Sequence, residues 1–288
     1  MTRMSKSVLT GVVATLLMLT SACGDAAPHR PNNFPAGSTM AALAGAPKIK
    51  IGASPNQPGL AELNLQDDWE GFNIDLAVLL VKSLGIDRSD IEWVNTTAAN
   101  RVPFLKQGKI DVFVTALAIT PERKKTLSIA GQYLETTPRL MVRKGDGGRF
   151  QSLQGIPAGT KVCVLQGSQG QPRVSKFIPQ ATIAEFNTLT NCVRALEQGT
   201  VDAIDSTAPL LAGFVANKPD VFELAPMSYG DAERWGIGVT KNRKDLCLFF
   251  NDRLRAAFSD GTISKLWDQH MGRSGLPAPT APQDMNNC

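Results

Sequence analysis

Few residues in this 288-residue sequence could serve as acids, bases, nucleophiles or metal ligands. Two histidines occur, His29 in a stretch rich in Ala and Pro and His270 near the end of the chain. The carboxylates considered for general acid chemistry, Glu122, Asp205 and Glu223, form no pair at a recognisable spacing. There is no nucleophile elbow, metal-binding His-Glu-x-x-His helix, glycine-rich dinucleotide turn or zinc spacing. No catalytic residue, cofactor or metal is therefore expected, and the chain reads as a binding protein rather than an enzyme. The chemistry that is present is recognition of charge. Thr120-Pro121-Glu122-Arg123 opens a helix, with Thr at the cap and Pro at the first position. Arg123 then falls in the first turn, where a guanidinium and helix N–H groups can meet one carboxylate. The alternative is a solvated arginine in a charged run, the reading taken for Lys124 and Lys125.

The elements that position these residues follow a repeating grammar. Strands are predicted over 48–53, 91–94 and 111–115, with helices over 71–84 and over 98–107, the latter capped by Thr97 and closed by Gly108. A second series has strands over 161–165, 183–186 and 201–206, a turn over 166–170, and helices over 189–198 and 208–216. Segments 133–143 and 235–240 are extended where the chain must leave one α/β unit for the other. The expected fold class is α/β in two lobes, each a mixed sheet flanked by helices. Residues 47–138 with 235–275 form lobe 1, 139–234 form lobe 2, and 276–288 are a loose tail.

Arg3 and Lys6 followed by the short apolar run 8–18 read as a signal peptide over 1–22, too short to span a bilayer. Leu19-Thr20-Ser21-Ala22-Cys23 resembles a bacterial lipobox, which makes Cys23 the expected lipidation site and places the protein on the outer face of the cell membrane. Thr20 stands where the lipobox usually has Leu. Residues 23–46, without period and poor in apolar content, are expected to be a flexible tether. Removal of 1–22 leaves 28 basic against 26 acidic residues, a balance with no nucleic-acid signature. In an exported chain disulfides persist, and Cys163 on a strand is expected to pair with Cys192 on the following helix. Cys247 and Cys288 either pair as well or leave Cys247 as plain core.

Several segments carry a family resemblance. Glu70-Gly71-Phe72-Asn73-Ile74-Asp75-Leu76-Ala77 resembles a signature of the family 3 extracellular solute-binding proteins, the polar amino-acid receptors of ABC importers. Ala99-Asn100-Arg101-Val102-Pro103, Gly108-Lys109-Ile110-Asp111 and Ile119-Thr120-Pro121-Glu122-Arg123 resemble its next motifs in order. In the second half, Lys161-Val162-Cys163-Val164-Leu165-Gln166-Gly167-Ser168 and Gly199-Thr200-Val201-Asp202-Ala203 do the same. The chain is most similar to the glutamate- and glutamine-binding lipoproteins of actinobacteria.

The resemblance implies a two-lobed clamshell of the type II periplasmic-binding-protein kind, a small polar amino acid or related anion as ligand, and a membrane permease as partner. The chain is expected to act as a monomer. It further implies that Arg123 clamps a ligand carboxylate with Thr120, and that Gly167 and Ser168 close on it from the far lobe, Ser168 either capping only or also touching ligand. Arg101 is either at the cleft or solvated. Three positions depart from the family pattern. Gln57 stands where an aromatic packs on the ligand, Ala118 where a hydroxyl is usual, and Thr207 where a carboxylate holds the ammonium group. Asp205, two residues earlier on the same strand face, could supply that carboxylate. A different organic anion, or a receptor that signals to a membrane partner, are the alternatives.

Overall fold

The computed structural model describes residues 34–285 and 288. The expected signal peptide, Cys23 with its lipid, and His29 lie outside the described residues. The chain first lays down β1 (Ile49–Ala53), the short strands β2 (Glu62–Leu63) and β3 (Trp69–Glu70), β4 (Ile91–Asn95), β5 (Val112–Ala118) and β6 (Leu127–Thr136). It crosses at Thr137 to β7 (Pro138–Arg143), β8 (Lys161–Leu165), β9 (Thr182–Phe186), β10 (Ala203–Thr207) and β11 (Phe222–Ser228), then returns as β12 (Glu233–Thr240). The helices are α1 (Thr39–Gly45), α2 (Phe72–Lys82), α3 (Arg101–Lys106), α4 (Pro121–Thr126), α5 (Gly170–Phe177), α6 (Leu189–Glu197), α7 (Ala208–Asn217), α8 (Lys244–Ser259) and α9 (Thr262–Met271).

Two five-stranded sheets result, ordered β4-β1-β5-β12-β6 and β11-β7-β10-β8-β9. In the first, β1 runs parallel to β4 and β5, while β12 is antiparallel to β5 and β6. In the second, β8 is parallel to β9 and β10, and β7 is antiparallel to its neighbours. The fold is a two-lobed α/β clamshell, each sheet flanked by helices. Every residue of β5 is buried, as a strand covered by helices on both faces requires.

The motif around Gly71 is a structural one. Gly71 takes φ +122°, and a Cβ there would lie 2.6 Å from the Leu60 carbonyl oxygen, so the turn into α2 depends on glycine. Phe72 then packs edge-on against Trp267 of α9, ring centroids 5.1 Å apart. Asp75, in the first turn of α2, meets His270 Nε2 at 2.7 Å and Arg88 Nη1 at 3.2 Å. The His270 contact, above all, holds the Asp75 carboxyl below its usual range, against the opposing effect of burial. A depressed folded-state pKa stabilises above the unfolded value and loses that contribution as pH falls through the folded one. Asp75→Asn should therefore cost about 1 kcal/mol at pH 7, kept small by residual solvent contact. The gap from wild type in urea unfolding should close below about pH 4. A gap unchanged at low pH would mean that the loss comes from shape rather than charge.

Two stretches read as loose are in fact packed. Instead of a tether running to residue 46, Ser38 caps α1 by accepting from the Ala41 N–H, and the Asp245 carboxylate accepts from Thr39 N–H and Oγ1 at 2.7 Å each. Phe34 adds an edge-on contact to Phe249. The tail is also fastened. Trp267 Nε1 donates to the Leu276 carbonyl, Asn251 Nδ2 to that of Met285, and Met285 is buried. Isolated apolar residues in a Pro-rich segment gave no period, and so no sign that they would find a core.

Disulfides join Cys163 to Cys192 and Cys247 to Cys288, with Cα atoms 5.7 and 5.8 Å apart. For sequence separations of 29 and 41 residues, restriction of the unfolded chain is worth about 3–4 kcal/mol each in the loop-entropy account.

Candidate functional site

The carboxyl end of β5, the loops after β1 and β4, and the starts of α5, α6 and α7 converge between the lobes. They enclose a cavity of about 240 Å³. Lobe 1 contributes Ser54, Asn56, Gln57, Thr96, Thr97, Arg101, Ala116 and Ala118, and lobe 2 contributes Ser168, Gln169, Arg173, Asn187, Thr188, Ser206 and Thr207. Glu233 enters from the returning strand.

Hydrogen bonding within this wall is incomplete. Gln57 Oε1, Arg101 Nε and Thr207 Oγ1 are buried without a partner, and all three residues face this one cavity. Buried polar atoms are nearly always paired, so these three of the five unpaired ones among the described residues leave bonding capacity open around one cavity. Backbone strain collects at the same place. Asn56 and Ala116 adopt φ of 61° and 49°, a region that residues with a Cβ seldom occupy.

Arg101 is the most buried of the cleft cations, at 5% exposure. Its Nη1 donates to the Ala116 carbonyl at 3.1 Å, and its guanidinium lies over the Phe113 ring at 5.3 Å. Neither neighbour is an anion. Burial, followed by the nearby charge of Arg123, pushes the guanidinium down to about 9, against the opposing attraction of Glu233. Arg173 differs. Its Nε and Nη2 grip both oxygens of Asp205 at 3.0 and 2.7 Å, and its Nη1 reaches Glu233 Oε2 at 3.2 Å. Burial works against the charge, but Asp205 outweighs it and holds Arg173 above the usual arginine range. Two arginines, Arg101 and Arg173, and one carboxylate, Glu233, thus line the cavity, with Arg123 held just behind it.

Two glycines let the lobes touch. A Cβ on Gly167, which has φ +75°, would stand 2.7 Å from Ala99 Cα across the cleft. A Cβ on Gly213 of α7 would land on the Pro58 carbonyl oxygen of lobe 1, well inside van der Waals contact. The lobes are therefore closed on one another, with the cavity between these two contacts.

A sequence profile of the bacterial extracellular solute-binding proteins, family 3, matches residues 49–273, nearly the whole two-lobed unit. The chain belongs to this family. Its fold and family are those of solute-binding proteins, not of enzymes. The glutamate-binding protein GluB of Corynebacterium efficiens is 29% identical over 276 residues, covering 93% of this chain and 89% of the relative. The ABC transporter glutamine-binding protein GlnH of Bacillus subtilis is 29% identical over 230 residues, covering 80% of this chain and 83% of that one. Among solved structures, the solute receptor for L-cysteine of Neisseria gonorrhoeae superposes with a TM-score of 0.75 at 25% identity, over 81% of this chain and 94% of that chain.

The expected site residues of this solute-binding protein fall into three groups. Gln57, Ala118, Arg101, Ser168 and Thr207 stand in the wall of the inner cavity. Thr120 lies in the outer vestibule and caps α4, its Oγ1 accepting from Arg123 N–H at 3.2 Å. Arg123 is held beside the wall, its Nη1 donating to the Ala118 carbonyl at 2.7 Å, and burial lowers its pKa. Ser168, just before the cap residue Gln169, accepts from Gly170 N–H at 3.0 Å and lines the cavity.

Asp205 departs from the expectation. The strand does extend to Thr207, but both oxygens of Asp205 are taken by Arg173 and the Tyr229 hydroxyl, the side chain is fully buried, and it is absent from the cavity wall. A Cβ on Gly170 would lie 2.8 Å from Asp205 Oδ2, so the start of α5 seals it in. Arg173 and Glu233 escaped the sequence reading. Arg173 lies one turn beyond the Gly167-Ser168 turn, and Glu233 one residue pair before the predicted strand, so each sat just outside a motif.

Proposed function

We propose that this solute-binding protein captures a small acidic or amide-bearing amino acid, glutamate- or glutamine-like, outside the cytoplasm and delivers it to an ABC import permease. Cys23 is its proposed lipid anchor on the outer face of the cell membrane. The observation that carries the ligand reading is the set of unpartnered polar atoms around an inter-lobe cavity in which arginines outnumber carboxylates. Glutamate, of net charge −1, balances that set, glutamine, of net charge zero, offers its amide to the unpartnered polar atoms, and about 240 Å³ suits a metabolite smaller than the drug-sized ligands of larger sites. The vestibule outside, with Lys124, Lys125, Lys176 and Arg234 on its rim, favours the approach of an anion. The names of GluB and GlnH support the same ligand class. Arg101 and Arg123 are the proposed carboxylate-binding pair of lobe 1, and Ser168 and Thr207 complete the site from lobe 2, Gly167 letting the lobes meet beside them. Ligand meets one lobe first and shifts the open and closed populations by contacts made only on closure.

Calorimetric titration of the purified chain with the common amino acids should show micromolar or tighter binding of glutamate or glutamine and none of arginine. A second reading has one observation in its favour. Thr207 offers a neutral hydroxyl where a carboxylate is usual, which suits an organic anion without an ammonium group. Glutarate and 2-oxoglutarate therefore belong in the same panel, and tighter binding of either than of any amino acid would replace the first reading with the second.

A further inference from the structure

An amino-acid ligand brings a cation as well as carboxylates into the cleft, and a buried ammonium without an anion is costly. Resting on the amino-acid reading above, we propose that Glu233 is the ammonium-binding carboxylate of this protein, supplied by the returning hinge strand instead of by position 207. The Thr207 hydroxyl can accept a hydrogen bond but cannot neutralise the charge. Asp205 is closed to ligand: it is fully buried, lies outside the cavity wall, and has the start of α5 against its Oδ2. Among the described residues, Glu233 is the carboxylate in the wall of the inner cavity.

Its geometry leaves room for one more partner. Oε1 accepts from Trp235 Nε1 at 3.1 Å and Oε2 from Arg173 Nη1 at 3.2 Å, one bond on each oxygen. A carboxylate oxygen accepts two, so each retains a lone pair. The indole, on the same strand, holds the carboxylate in place, and Trp235 is itself fully buried between β5 and β6. Glu233 sits at the hinge end of the first sheet, paired with Thr136, and Arg173 reaches it from α5 of the second lobe. An ammonium here also separates amino acids from plain diacids, a discrimination that the arginines alone do not provide.

The test is Glu233→Gln, which keeps an acceptor for Trp235 and Arg173 but removes the charge. The amino acid that binds wild type best is titrated beside its amine-free counterpart, glutarate in the case of glutamate. We expect E233Q to weaken the amino acid about 30-fold, to change glutarate less than about threefold, and to regain most of the loss in the double variant E233Q/T207D. Equal weakening of both ligands would show that Glu233 only braces Arg173, and unchanged amino-acid affinity would overturn the assignment outright. Should glutarate be too weak to titrate, the double variant decides, since a purely bracing Glu233 is not rescued by an acid on β10. A wild-type protein that binds none of the amino acids removes the amino-acid reading and this inference with it, whereas tight wild-type binding with an indifferent E233Q removes this inference alone.

Discussion

Replacing Arg101 by methionine should weaken ligand binding by at least about a hundredfold and yet leave the ligand-free protein within about 1 kcal/mol of wild-type stability. The two effects part because the guanidinium is poorly served in the free protein. It has an unpartnered Nε, carbonyl and ring neighbours in place of a carboxylate, and the charge of Arg123 close by. Methionine has a similar unbranched stem and gives up the Ala116, Thr115 and Phe113 contacts and the more distant attraction of Glu233, while relieving a buried charge with no carboxylate in contact. A ligand carboxylate, by contrast, loses a charge-assisted partner in a site closed to water. Titration and thermal unfolding of the same sample read both quantities. A variant that unfolds easily but binds normally would make Arg101 a strut for the end of β5 and nothing more.

Gly213→Ala should also move two quantities in opposite directions. Alanine favours a helix over glycine by up to about 1 kcal/mol, so α7 itself gains. Closure is what suffers, because the new methyl meets the Pro58 carbonyl, a backbone atom that cannot rotate aside. Overpacking of this kind costs about 1–3 kcal/mol, and only the closed form bears it. We expect ligand affinity to fall about 10- to 100-fold with no loss of thermal stability in the free protein. Small-angle scattering should show the variant retaining larger dimensions than wild type at saturating ligand. Gly213 lies outside the cavity wall, so the effect would belong to closure and not to lost contacts. Wild-type affinity in G213A would mean that the lobes need not approach this closely for ligand to be held.

The alternation of apolar runs, caps and terminating glycines made the layered fold legible before any coordinates. The buried run of β5 and the Thr120 cap of α4 are local features written in a few adjacent residues. What was not legible depended on partners far away in sequence. Asp205 could be placed on its strand, but not the Arg173 fork from a neighbouring helix that occupies it. Arg101 could be placed at the start of a helix, but whether that end faced solvent or the other lobe is set by how the sheets meet. The predicted helix over 98–107 begins only at Arg101, because Thr97 and Asn100 bond each other's backbone in a turn first. The packing of α1 and the tail likewise rests on contacts to α8 from more than 30 residues away, such as Asn251 to Met285 with a separation of 34.

Both of those outlying segments are moored to the same helix, at Asp245 near one end of α8 and through Cys247 and Asn251 a turn or so further on. The second lobe carries neither. Any anchorage made upstream of residue 34 therefore grips the molecule by its first lobe, the heavier and doubly fastened half. The other half swings against that anchored body and meets the tail where residues 276–284 share a cavity wall with Arg139, Ala208 and Pro209.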